Sequence, residues 1–218
     1  MALAGSHAGL RLIAVDAVLA TPWRNGGGVT RELFAWPSAA AWQLRISVAN
    51  IDADGPFSSF PGVDRWFAVL QGNGVVLRFE VQDRADHAQT EQRLVLDVQS
   101  PPLHFKAEHA PHCSLQDGAT RDLNLMSRRD TGTSHMRQAS AGAEWRSAAH
   151  LRALFSTLPV RLQIDDTDAA NLPAWTLAVS DHAAHQRWRV LPPGDALQAW
   201  WMDFQPQPMP APNDMTVP

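Results

Sequence analysis

Alternation of apolar and polar side chains with a period of two constrains this chain more than any other feature. Trp42, Leu44, Ile46 and Val48 alternate with Gln43, Arg45, Ser47 and Ala49. Residues two apart on a strand share a face, so this is a strand with one apolar and one polar side. Arg65 to Leu70 reads as a second strand, stopped by the turn signal Gln71-Gly72-Asn73-Gly74. Val75 to Val81 and Gln92 to Val98 read as a hairpin around the polar loop Asp83 to Glu91. Arg121 to Met126 alternates again, and Val160 to Ile164, Trp175 to Val179, Gln186 to Leu191 and Leu197 to Phe204 are further strand candidates. Short strands separated by turns predict an all-β sandwich or barrel. Helices are few. The best candidate is Glu144 to Thr157, where Ala148, Leu151, Leu154 and Phe155 fall on one helical face. A connector with one or two helical turns is the other reading of that stretch.

With 218 residues, 45% of them hydrophobic, the chain can bury a sizeable core. Four units of organisation are expected. Residues 1–8 are small and polar and are expected to be disordered. Residues 9–127 form a first half, and 128–205 a connector and second half. Residues 206–218 form a flexible tail, with proline at 206, 208, 210, 212 and 218. The stretch from Arg128 to Gly142, rich in Ser, Thr, Gly and Arg, is expected to be a long loop between the halves.

Composition excludes several function classes. Eighteen cations against 22 anions give a net charge of −4 without a basic block, which argues against nucleic-acid binding. No apolar run approaches the ~20 residues of a membrane span, and the start lacks a signal-peptide core, so a cytoplasmic location is expected. A single cysteine, Cys113, allows neither an internal disulfide nor a cysteine-based zinc site. All cations except Lys106 are arginine, the residue that grips carboxylates in a fork.

The segment Thr21-Pro22-Trp23-Arg24-Asn25-Gly26-Gly27-Gly28-Val29-Thr30-Arg31-Glu32-Leu33 is unusual. Its glycines suggest a phosphate loop, but the Gly-Lys-Ser/Thr ending and following helix are missing, so it reads as a glycine-rich turn entering a strand. Three further stretches stand out. They are Trp42-Gln43-Leu44-Arg45-Ile46-Ser47-Val48-Ala49, then Gly55-Pro56-Phe57-Ser58-Ser59-Phe60-Pro61-Gly62-Val63-Asp64-Arg65, and Asp122-Leu123-Asn124-Leu125-Met126-Ser127-Arg128-Arg129.

In order and spacing, these four motifs resemble the HutD/Ves family of the cupin superfamily, over about residues 10 to 205. The resemblance implies an all-β bicupin: two jelly-roll halves, each a double-stranded β-helix, packed as one compact body with few short helices. It also implies a link to histidine utilisation and a ligand of the urocanate or N-formylglutamate class. One departure lies at Phe105-Lys106-Ala107-Glu108, where the family tends to place Phe followed by a Pro-Gly-Asp turn.

The polar faces indicate the chemistry. If they line a lumen, Arg45, Arg65, Asn124 and Arg31 converge there, and with Ser47, Arg128, Glu32, Asn25 and Trp23 they suit a small anion carrying amide groups. Each of these residues also has a structural reading. Arg45 and Arg65 can pair with Glu32 and Asp64, Asn124 can tie down a loop, and Trp23 can be core.

Many cupins hold a divalent ion, but the usual His-x-His pattern is missing between Phe60 and Val81. The alternative metal set is His104, Glu108, His109 and His112, which would need a bend at Ala110-Pro111 to converge. His182 and His185 read as a polar turn, and Cys113 beside His112 does not form a catalytic pair.

The expected function is therefore a metal-free, cofactor-free cupin that binds a carboxylate metabolite as a sensor or regulator and performs no reaction. Two alternatives stand beside it. One is an atypical cupin enzyme, an isomerase, hydrolase or dioxygenase. The other is a protein-interaction module or homodimer using the proline-rich tail and Trp200-Trp201.

Overall fold

The computed structural model describes residues 9–82, 89–181 and 186–208. The segments 1–8 and 83–88, the pair His182 and His185, and the tail from 209 onward lie outside the described residues. Among the described residues the only helix is a single 3-10 turn, Val15–Ala17. None is long and apolar enough to cross a membrane.

The strands form four antiparallel sheets, two per half. The first half runs through eight strands: β4 (Leu44–Ile51), β5 (Gly55–Pro56), β6 (Val63–Gln71), β7 (Val75–Gln82), β8 (Gln89–Leu96), β9 (Leu103–Lys106), β10 (His112–Leu115) and β11 (Thr120–Arg128). The second also has eight: β12 (Gly132–Gln138), β13 (Glu144–Arg146), β14 (Leu151–Ser156), β15 (Val160–Ile164), β16 (Ala170–Leu172), β17 (Thr176–Ser180), β18 (Arg187–Leu191) and β19 (Ala199–Pro206). Sheet order is β4-β11-β6-β9 facing β5-β10-β7-β8 in one half, and β12-β19-β14-β17 facing β13-β18-β15-β16 in the other. Numbered within each half, both read 1-8-3-6 and 2-7-4-5, so the chain is an all-β bicupin of two jelly rolls.

Three strands precede this repeat. The hairpin β2 (Thr21–Pro22) and β3 (Gly28–Trp36) extends the first half's sheet beside β4. Strand β1 (Leu10–Ala14) instead pairs with β17, so the expected first half, 9–127, gives its opening strand to the sheet of the second.

The two larger sheets pack face to face. Leu44, Ile46, Val48, Leu123 and Leu125 meet Leu151, Ala153, Phe155, Met202 and Phe204 in the principal core. The opposite faces of these strands line the two lumens. The second lumen is filled by Trp145, Leu154, Trp188, Trp201 and their neighbours. The first is filled only at one end, by Phe67, Val69, Leu77, Phe79 and Cys113. Trp200 belongs to the core between sheets and Trp201 to the second lumen.

Three expectations are corrected. Glu144 to Thr157 is neither a helix nor a helical connector; it holds β13 and β14. Strand β14 is central and buried on both faces, with Leu151, Ala153 and Phe155 turned to the core and Leu154 to the lumen. Burial on both sides erases the apolar–polar alternation that marks a strand. The stretch from Arg128 to Gly142 is not a loop, because β12 pairs with β19 along seven residues. Its inward positions Gly132 and Ser134 are small or polar, which hid the strand. Position 206, expected outside the second half, still pairs with Gly132 in β19.

Candidate functional site

The open end of the first lumen is a cavity of about 670 Å³ between β3, β4, β6, β11 and the loops after β2 and β5. Of the residues expected to converge, Trp23, Asn25, Arg45, Ser47, Arg65 and Asn124 line it. The alternation within the strands places them. In β4, Arg45 and Ser47 point away from the core-facing Leu44, Ile46 and Val48. In β11, Asn124 and Met126 point away from Leu123 and Leu125. Pairing brings Arg45, Met126 and Arg65 into one row across β4, β11 and β6.

Each guanidinium is oriented by aromatic rings. Arg45 lies over Trp42 and Phe60 at 5.1 and 5.5 Å from the ring centroids. Arg65 lies 4.3 Å over Phe57. Stacking fixes the plane of the fork and leaves its edges for a ligand. Of the two expected ion pairs, Arg45–Glu32 is present and Arg65–Asp64 is not. Glu32 stands 4.0 Å from Arg45 at the limit of contact, and Asp64 is held by Arg129 at 3.1 Å rather than by Arg65. Burial lowers the pKa of Arg45, opposed by Glu32.

Arg65 has a different counter-charge, one step removed. Its Nε donates to Asn124 Oδ1 at 2.8 Å, and Asn124 Nδ2 donates to Asp122 Oδ2. Asp122 is 1% exposed, and its Oδ1 has no partner. Burial pushes Asp122 up to about 7, against the pull of Arg65 and of the Asn124 hydrogen bond. Burial brings Arg65 down to about 10, with Asp122 opposing. Asn124 thus holds a side-chain relay, not a loop backbone. Asp122 escaped the expected site set although it shares the lumen face of Asn124; the period-two pattern was the signal that could have found it.

The glycine-rich segment shapes the mouth. It forms the turn of the β2–β3 hairpin, with Thr21 opposite Thr30 and Pro22 opposite Val29. Gly26 adopts φ +72°, and Asn25 Oδ1 accepts the Gly27 N–H at 3.1 Å. A Cβ on Gly28 would overlap the Asn50 carbonyl oxygen and approach the Trp23 ring to 3.1 Å. The Trp23 indole donates to Thr30 Oγ1 at 2.8 Å, which fixes the ring as a wall of the cavity.

Three expected residues do not line the cavity. Glu32 approaches only through Arg45. Arg31 lies opposite Val48 in the pairing, on the core-facing side. Arg128 donates to the Trp42 carbonyl at 3.0 Å and stacks on that indole from outside.

The alternative metal set does not assemble. His104 stacks on Trp66 at 4.6 Å, Glu108 bonds Arg129 at 2.5 Å, and His112 lies 3.3 Å from Arg78. Among the described residues no three His, Cys, Asp or Glu side chains are grouped to hold a metal ion. The lumen's own residues fit a divalent cation poorly, since three arginines, Arg24, Arg45 and Arg65, line it and no histidine does. Cys113 is buried, and desolvation raises its thiol to about 12, far from a reactive thiolate.

The HutD family profile matches residues 16–197. The chain belongs to the HutD family. It is 34% identical over 119 residues to Protein Ves of Citrobacter koseri, covering 54% of this chain and 57% of that protein. It is 33% identical over 126 residues to an uncharacterized 21.2 kDa protein in the hutC 3′ region of Pseudomonas putida, covering 54% and 57%. The chain thus spans a little over half the length of these curated relatives. A solved conserved protein of unknown function from Pseudomonas aeruginosa PAO1 superposes with a TM-score of 0.76 at 24% identity, covering 91% of this chain and 100% of that one. HutD from Pseudomonas fluorescens SBW25, in a formate condition, gives 0.73 at 20% identity with coverage of 91% and 100%. Oxalate decarboxylase from Lactobacillus farciminis, as a formate complex, gives 0.60 at 10% identity with coverage of 93% and 88%. These structural likenesses establish the cupin fold.

Proposed function

We propose that this chain binds a small carboxylate metabolite in its first lumen and serves as a sensing or regulatory component linked to histidine utilisation. One observation carries the reading: the Arg45 and Arg65 forks, each stacked on aromatic rings and approached by no carboxylate nearer than Glu32, 4.0 Å from Arg45, face one cavity with Ser47 and Asn124 beside them. A charge-assisted hydrogen bond contributes about 1.5–3 kcal/mol, so two forks can supply the roughly 8 kcal/mol of micromolar binding. Ser47 and the free edge of Asn25 offer partners for an amide or ring nitrogen, consistent with urocanate or N-formylglutamate. The P. putida relative's position beside hutC supports the pathway link. The lining holds no activated nucleophile, and the one carboxylate, among the described residues, tuned near neutrality, Asp122, sits behind Asn124 and Arg65 rather than in the cavity. This favours binding over turnover.

A thermal-shift screen of urocanate, N-formylglutamate, formate and simple dicarboxylates, with and without chelator, tests the reading. A ligand at about a hundred times its Kd stabilises by about 2.7 kcal/mol, which is roughly 5–10 °C for a chain of this size. One acid should give a chelator-resistant shift that is lost in Arg45→Ala and in Arg65→Ala. Full affinity in both variants refutes the assigned pocket, and disappearance of the acid with time refutes the absence of chemistry.

A further inference from the structure

Asp122 is a carboxylate without a direct cation, set one amide away from an anion-seeking arginine. Its Oδ2 accepts the Asn124 Nδ2 hydrogen bond, and the same carboxamide accepts Arg65 Nε. The amide therefore has its orientation fixed from both sides, and through it the plane of the Arg65 fork. Asp122 Oδ1, buried and unpartnered, is free to take a proton without breaking that chain.

The surroundings isolate this pair. From β6, Arg65 faces Asp122; from β4, Arg45 acts on Arg65; from β10, Cys113 faces Asp122 and stays neutral because burial raises its thiol. Arg78 of β7 and Asp54 act on Cys113. Across β11, the residues paired with Asp122 are Ala49 and Val69, which carry no charge. Arg65 is thus the one cation, among the described residues, whose field holds Asp122 ionised.

We propose that Asp122 is a positioning residue that couples anion binding at Arg65 to proton uptake. The inference rests on the carboxylate-binding reading of this cavity. An anion at the Arg65 fork cancels the positive field that stabilises the Asp122 carboxylate, and the carboxylate then takes a proton from solvent at Oδ1. Burial has already brought Asp122 to about 7, so the exchange falls in the neutral range. Below that range Asp122 is already neutral, Arg65 presents its full charge and anions bind more tightly. Above it, the ionised Asp122 competes for Arg65 and binding weakens. Affinity then reports cellular pH as well as metabolite level.

The test uses the full chain and formate, a carboxylate small enough to occupy one fork. Carbon-detected NMR follows the Asp122 carboxyl from pH 5 to 9, without formate and with formate raised until the Arg65 Nε resonance stops moving. The Asp122 midpoint should rise by about one pH unit on saturation, and formate affinity should fall about fivefold from pH 6 to pH 8. In Asp122→Asn, which keeps an acceptor for Asn124, affinity should not depend on pH across that range. If Arg65 Nε responds to formate while the Asp122 midpoint stays or falls, the coupling is overturned and the carboxylate reading stands. If Arg65 Nε does not respond, both are overturned. The wild-type titration decides the matter if the variant does not fold.

Discussion

Replacing Asp122 with asparagine should invert the usual effect of losing a buried polar group, but only above neutrality. Asp122 is 1% exposed, and burial raises it from 3.8 to about 7. A carboxyl that binds its proton more tightly folded than unfolded destabilises the protein when ionised. The penalty is nil below pH 4, grows between pH 4 and 7, and is complete above 7. At 1.36 kcal/mol per pH unit it reaches at most about 4 kcal/mol, of which roughly 3 kcal/mol develops between pH 5 and 8.5. The asparagine carbonyl can still accept from Asn124 Nδ2. The new amide nitrogen takes the place of the unpartnered Oδ1 and costs about 1–3 kcal/mol at every pH. Wild type should therefore equal or modestly exceed the variant at pH 5, and the variant should be the more stable form at pH 8.5. Urea unfolding at half-unit steps from pH 5 to 8.5 measures the difference between the two, in which the other titrating groups cancel. A difference constant to within about 0.5 kcal/mol over that range refutes the reasoning, because Asp122 would then titrate alike folded and unfolded.

Two further outcomes test the packing. Gly28→Ala should cost about 2–4 kcal/mol in urea unfolding, because its Cβ meets the Asn50 backbone in the paired strand; Gly26→Ala, with φ +72° and open space around it, should cost only about 1 kcal/mol. Arg152→Met should leave stability within about 1 kcal/mol or raise it, since the buried Arg152 has Nε and one Nη unpartnered and a single hydrogen bond to the Gln186 carbonyl; a loss above about 3 kcal/mol would show that its charge is well compensated.

The placement of Arg152 shows how the lumens of the two jelly rolls differ. In the first half a row runs Arg45, Met126, Arg65, Phe105 across β4, β11, β6 and β9. On the corresponding strands of the second half a row runs His135, Asp203, Arg152, Ser180 across β12, β19, β14 and β17. Arg65 and Arg152 thus lie on corresponding strands, β6 and β14. In the first half the row opens onto a cavity. In the second, Arg152 is 0% exposed and lies 5.6 Å over the Trp188 ring, beside a lumen packed with indoles. This repeat is not visible in the residues themselves, because a jelly roll fixes which face each position takes but not which side chain fills it.

Period-two alternation was enough to fix the all-β class and most strands, because one buried face leaves a plain mark in β4 and β11. It also assigned Arg45, Ser47, Arg65 and Asn124 to one face of their strands, and the four motifs named the family. Alternation fails where both faces are buried, as in β14, and where inward positions are small, as in β12. Which face of β4 meets the other sheet and which meets the lumen was settled only by the pairing of two jelly rolls, since a strand's own sequence carries no direction for its polar side. Only tertiary contact separated Arg31 and Arg128 from the cavity, closed the second lumen with tryptophan, and set Asp122 behind Asn124. Those outcomes depend on register between strands far apart in the chain, and register is a property of the assembled sheets.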